Sequence, residues 1–256
     1  MSDLLLLHGL GAVVEVRCEG AAGPVLASAL RSAWSRCRTP AGTSAQPRPA
    51  TPVVARLDHP DFLIRELMLT TRSVTRALIT ARAGDLLMFH AGAVSDPGTG
   101  RSLVYVAAGG TGKTTMSRLL GQRLGYLTDE TVGIDPAGGI LPYPKPLSVR
   151  RVGEPDLKDE VSPDALGLLA APANPTVARV VLLDRRAEVD QDDLSEVGFM
   201  DAVVALVAQS SSVGEVPHPL QRLADLIDTT GPVLRLRYSE AASAEKALVA
   251  LLEDAS

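Results

Sequence analysis

Val104-Tyr-Val-Ala-Ala-Gly-Gly-Thr-Gly-Lys-Thr-Thr-Met-Ser117 is the stretch on which the fold turns. It opens as an apolar strand, Leu103-Val104-Tyr105-Val106, and passes through three glycines, Gly109, Gly110 and Gly112. It continues as Met116-Ser-Arg-Leu-Leu-Gly-Gln-Arg-Leu124, which reads as a helix. A glycine-rich turn between strand and helix can take positive φ and turn its backbone N–H groups toward an anion. The helix adds the positive end of its dipole. Gly112-Lys113-Thr114 matches the end of the phosphate-loop pattern G-x-x-x-x-G-K-[ST], with Ala107 standing where the first glycine is expected. Residues Gly109, Gly110, Thr111, Gly112, Lys113, Thr114 and Thr115 are thus expected to cradle a nucleoside triphosphate. Lys113 would reach the β- and γ-phosphates, and the Thr114 hydroxyl would ligate Mg²⁺. The chain has only four lysines, and one of them stands at this position.

A short helix later comes Gly125-Tyr-Leu-Thr-Asp-Glu-Thr-Val-Gly-Ile134, with a strand starting at Tyr126-Leu127. Asp129-Glu130 falls at or just past that strand's carboxyl end, where open α/β sheets present their ligand crevice. An acidic pair there can hold Mg²⁺ and take a proton from an attacking hydroxyl. Before the glycine loop, Leu86-Leu87-Met88-Phe89-His90 reads as a buried strand, followed by Ala91-Gly92-Ala93-Val94. His90 is a further candidate, because its strand precedes the loop strand in sequence. Leu141-Pro-Tyr-Pro-Lys-Pro-Leu-Ser-Val-Arg-Arg151 combines three prolines with three cations. Proline keeps such a segment extended, so Lys145, Arg150 and Arg151 are candidate acceptor-binding residues.

Outward from this centre the pattern is α/β. Residues 4 to 18 suit short strands, and residues 24 to 36 and 61 to 82 read as helices. Residues 39 to 52 carry four prolines and read as a flexible loop. Beyond the acidic pair, Val177–Leu183 and Val233–Tyr238 read as strands, and residues 198 to 209, 217 to 229 and 240 to 253 as helices. A natural division is an N-terminal α+β region, 1–84, and a nucleotide-binding domain, 85–256. The N-terminal region is the candidate acceptor-binding part.

Composition narrows the partners. A net charge of -5 gives no support to nucleic-acid or acidic-membrane binding. The two cysteines, Cys18 and Cys37, make no disulfide framework, so a reducing, cytoplasmic setting is expected. The start of the chain does not read as a signal peptide, and no stretch approaches the roughly 20 apolar residues of a membrane span. His8, His59 and His218 read as structural.

Three segments together resemble the kinase domain of HPr kinase/phosphorylase and its relatives: His90-Ala-Gly-Ala-Val94, Gly109-Gly-Thr-Gly-Lys-Thr-Thr115 and Leu127-Thr-Asp-Glu-Thr-Val132. The loop Gly110-Thr-Gly-Lys-Thr-Thr-Met-Ser117 also looks like that of ATP-dependent phosphoenolpyruvate carboxykinase, which shares the nucleotide-binding fold. The resemblance covers residues 85 to 151 well. In size the chain fits short HPr-kinase-like proteins associated with peptide natural-product pathways. The family usually has two aspartates where this chain has Asp129-Glu130. The resemblance implies a P-loop kinase fold with a mixed sheet, ATP and Mg²⁺ as cofactors, Asp129 as catalytic base and Glu130 as a metal-side carboxylate.

The expected reaction is transfer of the γ-phosphoryl group of ATP to a hydroxyl. Lys113 would neutralise charge, Thr114 would hold the metal, and Asp129 would activate the acceptor. The expected acceptor is Ser or Thr of a peptide or small protein, docked between the N-terminal region and the 142–151 segment. Arg150 and Arg151 would favour a nearby carboxylate. A kinase of a free amino acid and a nucleotide-dependent binding protein are the alternatives. A homo-oligomer is compatible with the sequence.

Overall fold

The computed structural model describes residues 3–38, 46–189 and 191–253. The proline-rich residues 39–45, read above as part of a flexible loop, lie outside the described residues. The chain opens with β1 (Asp3–Gly9) and β2 (Ala12–Glu19), then α1 (Gly23–Ala33), β3 (Arg48–Pro49), β4 (Val53–Arg56) and the long α2 (Leu63–Arg82). Five strands and a helix follow: β5 (Leu87–Ser95), β6 (Arg101–Val106), α3 (Lys113–Leu120), β7 (Gly125–Thr128), β8 (Thr131–Ile134) and β9 (Ile140–Leu141). Next come β10 (Leu147–Arg151) and β11 (Glu154–Val161). The chain ends with β12 (Thr176–Arg185), β13 (Asp193–Glu196), α4 (Phe199–Ala208), β14 (Ser210–Ser211), α5 (Pro219–Thr230), β15 (Leu234–Tyr238) and α6 (Ala241–Glu253).

These elements form two compact units: Met1–Arg82 with Tyr143–Gly167, and Ala83–Pro142 with Leu168–Ser256. The division is not the contiguous one expected from sequence, because the chain returns to the first unit at Tyr143. Side-chain contacts account for that return. The Tyr143 and Thr75 hydroxyls share a hydrogen bond of 2.8 Å, and the Tyr143 and Trp34 rings lie 6.2 Å apart. Ser35 and Ser162 hydroxyls pair at 2.8 Å, and Arg36 bonds Asp164 at 2.7 Å. Gly9 leaves the space that the Tyr143 ring fills; a Cβ there would strike it. Within this unit β1 and β2 form an antiparallel hairpin, with β3 and β4 parallel to β2, and β10 and β11 form a separate antiparallel pair.

The second unit is built on a mixed nine-stranded sheet of order β13-β15-β12-β6-β5-β8-β9, with β7 and β14 also paired to β5. β6, β12 and β15 run parallel, while β5 is antiparallel to β6. Successive residues of a strand face opposite sides, so each strand feeds two cores. Val104, Val106, Val180 and Leu182 pack with Leu206 of α4 and Leu223 of α5. Leu103, Tyr105, Val181, Leu183 and Leu236 pack with Met116 and Leu120 of α3 and Leu248 of α6. The result is helix, sheet, helix, with the polar loop between β6 and α3 at the carboxyl ends of three parallel strands.

Gly92 fixes how α3 sits on this sheet. It opposes Tyr105 across the β5–β6 pair, and a Cβ on it would strike the tyrosine ring. With no side chain there, the Tyr105 ring packs against Gly92 and its hydroxyl meets that of Ser117 in α3 at 2.6 Å. Both partners are buried. Filling position 92 would force the ring to move, and overpacking of this kind costs about 1–3 kcal/mol.

Candidate active site

The loop from Ala107 to Gly112 has a fixed internal wiring. Gly110 and Gly112 take φ of +84° and +100°, the left-handed region that favours glycine. Cβ atoms built on Gly109 or Gly110 find nothing within 4 Å, so the loop faces open space on that side. Two of its carbonyls, Ala107 O and Ala108 O, are held by side chains of the same segment. The Thr111 hydroxyl donates to Ala108 O at 2.7 Å, and Lys113 Nζ donates to Ala107 O at 2.5 Å and to Ala108 O at 3.1 Å. The backbone N–H groups of Gly109, Gly110, Gly112, Lys113 and Thr114 find no acceptor among the described residues. Those of the first helical turn have no partner in any helix. Amides left open on a glycine turn at a helix start are a geometry that suits an anion.

Lys113 and Thr114 are the first two residues of α3, with Gly112 as its cap. Burial pulls the Lys113 ammonium down to a pKa of about 8, against the opposing pull of Asp129 and Glu130. Thr114 Oγ1 donates to Asp129 Oδ2 at 2.8 Å, and the Tyr126 hydroxyl donates to Asp129 Oδ1 at 3.2 Å. Asp129 is only 4% exposed. A buried carboxylate held by two hydroxyls beside a lysine is pre-positioned, since its rotamer is already fixed.

The acidic pair lies just past the carboxyl end of a strand, since β7 ends at Thr128. Strands β7 and β8 both pair with β5, with register partners Ala93↔Thr128 and His90↔Thr131. Asp129 and Glu130 are the two residues between them, pushed out of the ladder. The Thr128 hydroxyl accepts from the Glu130 and Thr131 amides at 3.3 and 3.4 Å. Glu130 O accepts from the Ala91 amide at 3.1 Å and lies 3.1 Å from His90 Nδ1. His90 is thereby tied to the backbone of the acidic turn. Burial, and next the charge of Lys113, hold its pKa below the ordinary histidine value, so its ring is neutral at neutral pH.

The structure thus brings together the cradle Gly109–Thr115, Lys113, Asp129, Glu130 and His90 within the second unit. The remaining sequence candidates belong to the first unit. Lys145, expected to bind the acceptor, is 1% exposed and donates to Pro146 O at 2.8 Å. Arg150 stands opposite Lys158 in the β10–β11 hairpin, and Arg151 sits at a bulge beside Glu154 and Asp159, at 3.4 and 3.7 Å. The expected extended loop is therefore a strand from Leu147 onward. One contact had no sequence signal at all: the Tyr238 hydroxyl donates to Thr111 O at 3.0 Å, across 127 positions of chain.

The donor chemistry fits a hard cation and a polyphosphate. Thr114 Oγ1, Asp129 and Glu130 offer oxygen ligands of the kind Mg²⁺ takes, and the open amides of the loop suit phosphate oxygens.

No protein-family model matches the chain, and no curated protein matches it. Among solved structures it is similar to the HPr(Ser) kinase/phosphatase from Coxiella burnetii, at 12% sequence identity and a TM-score of 0.32, over 65% of this chain and 88% of that one.

Proposed function

We propose that the protein is an ATP-dependent kinase that transfers the γ-phosphoryl group to a Ser or Thr hydroxyl of a peptide or small protein. The observation that carries this reading is the Thr114–Asp129 hydrogen bond of 2.8 Å. It joins the helix that starts under the loop to the acidic turn, so one cluster holds a phosphate-side lysine, a metal-side hydroxyl and a carboxylate. Phosphoryl transfer needs little else from a protein than such positioning and charge stabilisation.

In this reading the open amides of Gly109, Gly110 and Gly112 bind the β- and γ-phosphates. Lys113 swings its ammonium from the Ala107 and Ala108 carbonyls to the phosphate oxygens. Thr114 and the acidic pair would hold Mg²⁺, which supplies charge neutralisation when bound. Asp129 accepts the proton of the acceptor hydroxyl as that oxygen attacks phosphorus and the β–γ bridging oxygen leaves with ADP. Neutral His90 orients the acidic turn through Glu130 O. The first unit, with Arg150 and Arg151, recognises the acceptor. The setting is cytoplasmic, with no nucleic-acid or membrane partner. No described helix is long and apolar enough to cross a membrane.

The acceptor is tested by phosphorylation assays with free serine, free threonine and peptides with and without a terminal Ser, read by mass spectrometry. Transfer to peptides supports the proposal. Efficient transfer to free serine with peptides ignored replaces it with a small-molecule kinase. Tight ATP binding with no transfer to any of them replaces it with a nucleotide-dependent binding protein.

Lys113 also gives the proposal a pH signature. Its pKa of about 8 in the free protein means that the ammonium is lost as pH rises through 8. The charged form is the one that binds phosphate, so ATP affinity should be flat near pH 7 and fall above pH 8. One proton limits that fall to about tenfold per pH unit. In Lys113→Arg the guanidinium stays charged, so the fall above pH 8 should disappear. Titrations of ATP at several pH values check this. An affinity unchanged between pH 7 and pH 9.5 would mean that no ammonium titrating near 8 meets the phosphates.

A further inference from the structure

Tyr238 is the last residue of β15, on the sheet face that carries α3, and is 1% exposed. Its backbone is pinned, because the Arg186 amide donates to Tyr238 O at 2.8 Å. Its hydroxyl donates to Thr111 O at 3.0 Å. A Cβ built on Gly112 would find one neighbour within 4 Å, the same hydroxyl at 3.8 Å. The tyrosine therefore backs the turn of the loop from the side of the sheet.

That contact sets the direction of an amide. In a trans peptide the carbonyl and the following N–H point opposite ways in one plane. With Thr111 O held toward Tyr238, the Gly112 N–H is held away from it, on the open side of the loop. Gly112 is also the cap of α3, at φ +100°. Glycine takes either sign of φ readily, so a bond to the preceding carbonyl narrows the orientations open to that peptide. No other described residue donates to Thr111 O.

We propose that Tyr238 is a positioning residue for the polyphosphate site: by holding Thr111 O it fixes the Gly112 N–H as a phosphate donor. The inference rests on the nucleotide reading of the loop. It also makes β15, two strands away from β6 in the sheet, part of the site, since the hydroxyl comes from there rather than from the loop's own neighbours. Burial pushes the Tyr238 pKa up, so the hydroxyl keeps its proton and stays a donor across the neutral and mildly alkaline range.

The test compares wild type with Tyr238→Phe, which keeps the ring and its packing but deletes the donor. Binding of Mg-ATP and of AMP is measured calorimetrically for both. ATP should weaken about three- to tenfold, the range of one ordinary hydrogen bond, while AMP, which places no β- or γ-phosphate on the loop, should not change. The ¹⁵N–¹H resonance of Gly112 should shift in the variant. ATP affinity equal to wild type overturns the inference, and so does equal weakening of ATP and AMP, which would mark Tyr238 as general packing. Wild type failing to bind ATP overturns the nucleotide reading itself, a separate result. A check on wild type alone needs no variant to fold: the Tyr238 hydroxyl proton should exchange slowly and show a nuclear Overhauser contact to Thr111. A fast-exchanging proton with no such contact overturns the inference.

Discussion

Asp129→Asn should bind Mg-ATP within about tenfold of wild type, about 1.4 kcal/mol, and lose most phosphoryl transfer. Asparagine keeps the shape: its amide oxygen can accept from one of the two hydroxyls, Thr114 or Tyr126, that now hold the carboxylate at 2.8 and 3.2 Å, and its NH2 can donate to the other. It cannot take a proton. Removal of a general base typically costs 10²–10⁴ in rate, so single-turnover transfer to a peptide should drop in that range. Near-normal transfer would clear Asp129 of the role. Collapse of ATP binding would make it a metal-holding or structural group, with the base elsewhere in the cluster.

Lys113→Ala should lower ATP affinity at least about thirtyfold, the low end of the 2–5 kcal/mol that removal of one partner from a buried charge pair costs. AMP should suffer much less, because the lysine is assigned to the β- and γ-phosphates. The fold should survive. What the mutant loses internally is a pair of hydrogen bonds to Ala107 O and Ala108 O, both within the same short loop. Circular dichroism and calorimetry on the same sample separate the two effects. Unchanged ATP affinity in a folded mutant would remove Lys113 from the phosphate site.

The centre of the site was legible because its signals are local. Gly109 to Thr115 needs positive φ and a helix start within a few residues, and both needs are written in residue type. Asp129 and Glu130 stand out because they follow an apolar strand. Their true setting, pushed out between two strands paired to β5, depends on the register at His90 and Ala93, which no local pattern encodes. The first unit was less legible. Two prolines flank Lys145 and suggest an extended segment that offers its cations to a ligand, yet Tyr143 reaches Thr75 and Trp34, and Lys145 is buried with it. The strand Leu147–Arg151 and its partner Glu154–Val161 are dense in charge, so their alternation is weak. Tyr238 is the limiting case. It looks like the end of any alternating strand, and only the assembled sheet brings it to Thr111.

The central claim is that the loop from Ala107 to Thr115 is a polyphosphate site served by the Lys113–Thr114–Asp129 cluster. The most direct measurement is calorimetric titration of the full-length wild-type protein with ATP, ADP and AMP in the presence of Mg²⁺. The account predicts one ATP per chain, with affinity falling from ATP to ADP to AMP as phosphates are removed from the loop. No ATP binding, or equal affinity for all three nucleotides, would contradict it.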